Sequence, residues 1–443
     1  MRFTIGVSFA GLLLLGGCGS SDGDGAGDAG GGADGGVGGT DTGAGTDSGG
    51  TPRRDGGATT PDSPIREVQA GRHHTCALLR DSAIYCWGQG AYRALGGDYN
   101  FQGTPRLVEA IGDAVHIGSG TRFGCAIRPA GDVWCWGDND HAQVGTNATI
   151  PCGDCTPIPE CADSVCVPTP QPMAGLESGI VALGLGGRHG CALRDDGQVL
   201  CWGDNSAGQV GHADLTQDVT TPHVVPGVAG AQQITAGIAH SCALMGSPGQ
   251  VMCWGQNDRA QVGNGETSDA VPVPAAVAGL DDAVEVIAGG SHTCARRASG
   301  SAVCWGYNYL GALGNGSTRP TRATSIEDVV DLGDAVQLAA GQYFTCALRA
   351  TGTIACWGHN QHGQLGDGTA EGDSCDGRPC RPHPVDVQVV GDAVLVNAGE
   401  LHACAASADG RLWCWGYNLG GQLGTGGVDS GPTPVPVEVA GLP

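Results

Sequence analysis

The sequence predicts an all-β repeat protein, and three observations carry that expectation. One pattern recurs seven times at a spacing of about 50 residues, the mark of a propeller or a solenoid. Every copy contains two short apolar runs joined by a turn, which reads as a β-hairpin. The composition, with 81 glycines in 443 residues and only 5% aromatics, suits many turns and short strands rather than helices.

The repeat is anchored by two cysteines. The first of each pair is Cys76, Cys125, Cys191, Cys242, Cys294, Cys346 or Cys404, and the second is Cys86, Cys135, Cys201, Cys253, Cys304, Cys356 or Cys414. Trp-Gly follows every second cysteine. In the third copy, Cys191 to Arg194, then Asp195-Asp196-Gly197, then Gln198 to Cys201 form a hairpin closed by a three-residue turn with glycine last. Centring it on Asp196 pairs Arg194 with Gln198, Leu193 with Val199 and Cys191 with Cys201. Strict alternation then makes the cysteines a non-hydrogen-bonded pair, the class with the closer side chains. The expectation is seven cross-strand disulfides, each stabilising by roughly 2–3 kcal/mol. The tryptophans point to the opposite strand face and read as packing between neighbouring sheets. The asparagine two residues after the glycine of Trp-Gly (Asn139, Asn205, Asn257, Asn308, Asn360, Asn418) reads as a turn residue.

These residues resemble the regulator of chromosome condensation repeat. Ala236-Gly237 with His240-Ser241-Cys242-Ala243-Leu244 fits its opening, as does Ala288-Gly289 with His292-Thr293-Cys294-Ala295. Trp357-Gly358-His359-Asn360 running into Gly363-Gln364-Leu365-Gly366 fits its close. The resemblance covers residues 65 to 442 and implies a seven-bladed β-propeller of four-stranded antiparallel blades. The paired cysteines are not part of the generic pattern and read as an adaptation to an oxidising compartment.

The chain opens as a secretory signal, Met1-Arg2 followed by an apolar run to Leu15. Leu15-Gly16-Gly17-Cys18 is similar to the bacterial lipoprotein cleavage box, which implies lipid on the Cys18 thiol after removal of residues 1–17. Residues 18–63 are rich in Gly, Asp, Ser and Thr, hold eight Asp against two Arg, and read as a flexible tether with no calcium-repeat period. Residues 64–443 are the propeller. The protein is thus expected in a bacterial cell envelope, the outer membrane or cell surface before the inner membrane.

Later repeats carry a segment such as Val271-Pro-Val-Pro274 ahead of the Asp-Ala-Val run, and repeat one lacks it, while Pro434-Val-Pro-Val437 is left over at the end. The C-terminal strand is therefore expected to complete the first blade and close the ring. Two insertions, Thr146–Pro172 and Asp367–Pro384, occupy equivalent places and should emerge on one face, the candidate interaction face. They hold the remaining cysteines in even numbers: Cys152, Cys155, Cys161 and Cys166 in one, Cys375 and Cys380 in the other. Disulfides are the expectation, with the pairing among the four open; a four-thiolate zinc site is the alternative for them.

Five repeats place histidine two residues before the first cysteine (His74, His189, His240, His292, His402), and two place Phe123 or Phe344 there. Recurrence around a ring and exchange with Phe point to packing, with a ring nitrogen reaching a neighbouring backbone. No nucleophile triad, phosphate loop or zinc-protease motif appears, and no metal or cofactor is called. Single-copy aromatics are the better binding candidates: Tyr92, Tyr99, Phe101, Tyr307, Tyr309 and Tyr417. The net charge of −24, with all 21 basic residues arginine, argues against nucleic acid. The reading is a monomeric, non-enzymatic, envelope-anchored propeller that binds a protein or glycan. Alternatives are a guanine-nucleotide exchange regulator by family analogy, and a polysaccharide-directed enzyme or an inhibitor of a secreted enzyme.

Overall fold

The structure, a computed structural model, describes residues 63–97, 100–145, 149–152, 164–214 and 217–443. Cys18, the tether up to residue 62, Tyr99, Cys155 and Cys161 lie outside the described residues.

Each repeat folds into four consecutive antiparallel strands. Unit one is Ile65–Ala70, His74–Leu79, Ile84–Gln89 and Phe101–Leu107. Its second and third strands are the hairpin read from sequence. In unit three, Cys191 faces Cys201 and Leu193 faces Val199, and the Arg194 amide donates to the Gln198 carbonyl at 2.8 Å. Disulfides join all seven repeat pairs, with Cα atoms 4.0–4.1 Å apart, as the non-hydrogen-bonded register requires. Among the described residues the strands form six sheets of four or more strands. One has eight strands because units four and five are joined by a single pairing, Gly249 with Ala283.

The core lies between units. The disulfide face of one unit packs on the tryptophan face of the next: Cys76 and Cys86 with Trp136, Cys242 and Cys253 with Trp305, Cys346 and Cys356 with Trp415. Cys404 and Cys414 of unit seven pack on Trp87 of unit one in the same way. The seven tryptophans of the Trp-Gly pairs are essentially inaccessible to solvent. Every indole N–H must find an acceptor when buried. Each finds one 2.8–3.0 Å away, a backbone carbonyl in the third-to-fourth-strand connection of the preceding unit, as Trp254 does with Gln209 and Trp87 with Gln422.

One glycine per unit closes the inner circle: Gly71, Gly120, Gly186, Gly237, Gly289, Gly341 and Gly399. A Cβ on any of them would lie under 3 Å from the carbonyl oxygen of the next, and Gly399 meets Gly71. The first strands of all seven units line one central cavity of about 220 Å³.

The structure corrects the expected closure by the C-terminal strand. Asp429–Glu438 pairs with its own neighbour Leu412–Asn418, with Trp413 opposite Glu438. The Pro-Val segments are fourth strands of the preceding hairpin; Ala270–Ala276 pairs with Gly249–Gln256. Unit one lacks nothing, because Phe101–Leu107 is its fourth strand. Local antiparallel return is the shortest connection, and units seven and one meet through side-chain packing, hydrogen bonds such as Gly426 N–H to the Gly103 carbonyl at 2.8 Å, and the Arg72–Glu400 ion pair.

Candidate interaction face

Strand register sorts the loops onto two ends. The tight Asp-Gly turns lie at one end, where Gln198 N–H bonds Asp196 and Arg411 N–H bonds Asp409. At the other end lie the loop after the first strand and the connection from third to fourth strand, tied together by Gln89 N–H to the His73 carbonyl at 2.8 Å. Both insertions sit in that connection, in units two and six, as the spacing predicted. This end surrounds the cavity mouth.

The repeated asparagine builds these connections. Asn308 Oδ1 accepts from Leu313 N–H at 3.1 Å, and its amide nitrogen reaches the carbonyls of Ser317 and Arg319 at 3.0 and 3.1 Å. It organises a whole loop, which is more than the turn read from sequence.

The insertion disulfides act as caps. Cys152 pairs with Cys166, and Cys375 with Cys380. The first pair covers Tyr92 of unit one, and the second covers Leu310 of unit five. Tyr92 and Leu310 hold φ of 62° and 57°, backbone that disfavours side chains, and both are buried. The described half of the cysteine quartet is thus paired as a disulfide. Tyr92 is a packing residue with Arg122 stacked over its ring, 4.1 Å from the centroid.

The other aromatic candidates divide into two groups. Tyr307 and Tyr309 stack at 5.3 Å between Arg259, 4.5 Å over Tyr307, and Tyr343, edge-on to Tyr309 at 5.0 Å. Tyr417 joins His362 at 4.9 Å and His73 at 5.9 Å, and His362 meets His359 at 5.9 Å. Phe101 is exposed and lies against Gly421. Sequence reasoning missed Tyr343, His73, His359, His362, Arg259 and Glu400. Their signal was weak: each occupies a position that varies from repeat to repeat, as Tyr343 does against His73, Arg122, Arg188, Ala239, Ser291 and Leu401.

Burial sets the charges here. It lowers His73 to about 3, with Arg72 adding to the effect, and lowers His359 to about 4, so both are neutral. It raises Glu400, which Arg72 at 3.4 Å and the Thr121 hydroxyl at 3.2 Å oppose. It raises Asp138 to about 6, helped by Asp140. The result is a mixed surface of neutral imidazoles, phenols and arginines, suited to stacking and hydrogen bonding with a partner.

The recurring histidines are locks between units. His189, His240, His292 and His402 reach the hydroxyls of Ser241, Thr293, Thr345 and Thr75 in the next unit at 2.8–2.9 Å. Three of those hydroxyls donate their proton to a backbone carbonyl at 2.9 Å and the fourth, Thr345, to Ala312 at 3.4 Å. The imidazoles must therefore donate from Nε2, which leaves Nδ1 a buried lone pair. Phe123 faces a unit with Gly190 at the hydroxyl position, and Phe344 faces one with Ala403. Histidine appears where the neighbour offers a hydroxyl. His74 faces Gly124 and turns to Ser119 at 2.8 Å. The expected backbone partner is thus a side-chain hydroxyl.

Comparison with known proteins agrees with this architecture. Residues 26–334 match the RCC1-like domain; 335–364 and 393–422 match one description of the regulator of chromosome condensation (RCC1) repeat, and 351–406 and 409–443 another. The ultraviolet-B receptor UVR8 of Arabidopsis thaliana is 27% identical over 83% of this chain and 80% of its own. The mitochondrial RCC1 domain-containing protein RUG3 of the same plant is 27% identical over 88% of both. Among solved structures, yeast RCC1 (Prp20) bound to Kap60 superposes with a TM-score of 0.67 at 20% identity, covering 87% of this chain and 89% of that one. Human WBSCR16 gives 0.68 at 20% identity, covering 81% and 94%.

Proposed function

The chain belongs to the regulator of chromosome condensation (RCC1) repeat family, and from that premise we propose that it is a seven-bladed, partner-binding propeller of a bacterial cell envelope. The blade count takes the eight-stranded sheet as two blades, which the seven-membered glycine circle supports. The cavity-mouth face meets the partner, a protein or a glycan, and the protein has no catalytic role. Cys18 carries lipid, residues 18–63 are the tether, and the propeller is monomeric. The observation that carries the binding reading is the clustering of Tyr309, Tyr343, Tyr417, His362 and Arg259 on that one face. A protein partner has precedent in yeast Prp20, which was solved with Kap60 and studied for binding to Gsp1p and histones.

Photo-crosslinking in the producing cell tests the reading. A benzophenone side chain replaces Tyr309 or Tyr417 on the mouth face, or Asp196 on the turn face. Adducts to a defined envelope component from the first two positions alone are expected. Adducts from Asp196 alone would reverse the choice of face.

A further inference from the structure

We propose that His141, Asp204 and Asp218 form a site for one divalent transition-metal ion, with zinc as the probe, at the seam between units two and three. One donor atom from each of the three lies within 4.8 Å of the others. His141 Nδ1 stands 3.1 Å from Asp218 Oδ2. That is close to the ~3.4 Å edge of a tetrahedron whose ligands sit ~2.1 Å from zinc.

The donors reach this place from separate elements. His141 lies in the third-to-fourth-strand connection of unit two, and Asp204 opens the equivalent connection of unit three. Asp218 immediately precedes the fourth strand Val219–Val224. Pairing of Gly203 with Val219 brings Asp204 and Asp218 together at the two ends of unit three's connection, and the docking of unit two adds His141. Imidazole beside two carboxylates suits zinc or manganese better than calcium or magnesium, which take oxygen ligands. One oxygen of Asp204 is already oriented by Ser206 N–H at 2.9 Å, leaving the other for the ion. His141 and Asp204 are half-buried and Asp218 is exposed, so the fourth position opens to water.

Arg188 is a built-in competitor. Its Nη1 lies 3.3 Å from His141 Nε2. A guanidinium only donates, so Nε2 accepts and the imidazole proton sits on Nδ1, facing Asp218. Ion binding at Nδ1 moves that proton through solvent to Nε2, and Arg188 turns aside. The ion would tie unit three's connection to unit two. Asn205 already holds that connection through the carbonyls of His212 and Asp214 at 3.1 and 2.6 Å.

The test is calorimetric titration of chelator-treated full-length chain with zinc chloride at pH 7.5. Wild type is compared with His141→Ala, Asp218→Asn and Arg188→Ala, each checked for native near-ultraviolet circular dichroism. One zinc equivalent is expected whose affinity falls at least tenfold in the first two variants. Arg188→Ala should bind several-fold tighter, because the competing cation is gone. Zinc binding absent from wild type, or unchanged in both ligand variants, overturns the site. Weaker binding by Arg188→Ala overturns its role as competitor.

Discussion

Replacing His240 by Phe together with Thr293 by Ala tests the lock between units most sharply. The double variant copies the native pair Phe344–Ala403. In the wild type, His240 Nε2 donates to Thr293 at 2.9 Å, and Thr293 donates to the Gln261 carbonyl at 2.9 Å. Burial, assisted by His189 and His292, lowers His240 from 6.5 to about 3. A depressed histidine contributes stability that is fully present above its unfolded value near 6.5 and is lost as pH falls toward the folded value. Between pH 7.5 and pH 5 the linkage comes to about 2 kcal/mol for this residue. Guanidinium unfolding with disulfides intact, at both pH values, is the assay. At pH 7.5 the double variant should lie within about 1.5 kcal/mol of wild type, since a volume-conserving swap is tolerated. On moving to pH 5 it should lose about 2 kcal/mol less than wild type. Glu285, Glu400 and Asp138, whose carboxyls burial raises, work in the opposite sense, but they are common to both proteins and cancel in the difference. Thr293→Ala alone strands the buried Nε2–H and should cost about 1–3 kcal/mol. Equal pH dependence in the double variant and wild type would refute the lock.

Three further outcomes follow from the same geometry. Cys294→Ser with Cys304→Ser opens a buried hairpin link and should lower stability by roughly 2–3 kcal/mol, read as a shift in the guanidinium midpoint. Gly237→Ala drives a Cβ into the Gly289 carbonyl and the His240 ring, neither of which can give way; thermal unfolding should drop by more than 10 °C, and an unchanged melting curve would contradict the glycine circle. Asn308→Ala removes bonds to Leu313, Ser317 and Arg319, and hydrogen exchange should quicken across residues 308–319 while other units stay protected.

Much of this fold was written in the chain because the hairpin is local. Cysteine spacing, the position of Gly197 and strict alternation fix Cys191 opposite Cys201 without any long-range knowledge. The tryptophan face follows from the same alternation. Assigning fourth strands failed for a physical reason: a cyclic repeat has no natural starting point, and Pro-Val segments carry no alternating pattern to say which neighbour they pair with. Histidine was legible as packing, while its true partner was not, because the hydroxyl belongs to the next unit, 53 residues away for His240 and Thr293. Tyr92 looked like a recognition residue because it is single-copy. Only the fold reveals that a disulfide some 60 residues later covers it. The mouth cluster was half legible: Tyr309 and Tyr417 stood out, whereas Tyr343 and His362 became neighbours only through the meeting of adjacent units.

The measurement that tests most directly the proposal of an exported, disulfide-latched propeller is non-reducing peptide mass mapping of protein isolated from its native cell. The account predicts a lipid-modified Cys18 peptide, seven cysteine links of separation ten or eleven, and the Cys152–Cys166 and Cys375–Cys380 pairs. Reduced repeat cysteines with an unmodified residue 18 would contradict it, and would move the search for a partner inside the cell.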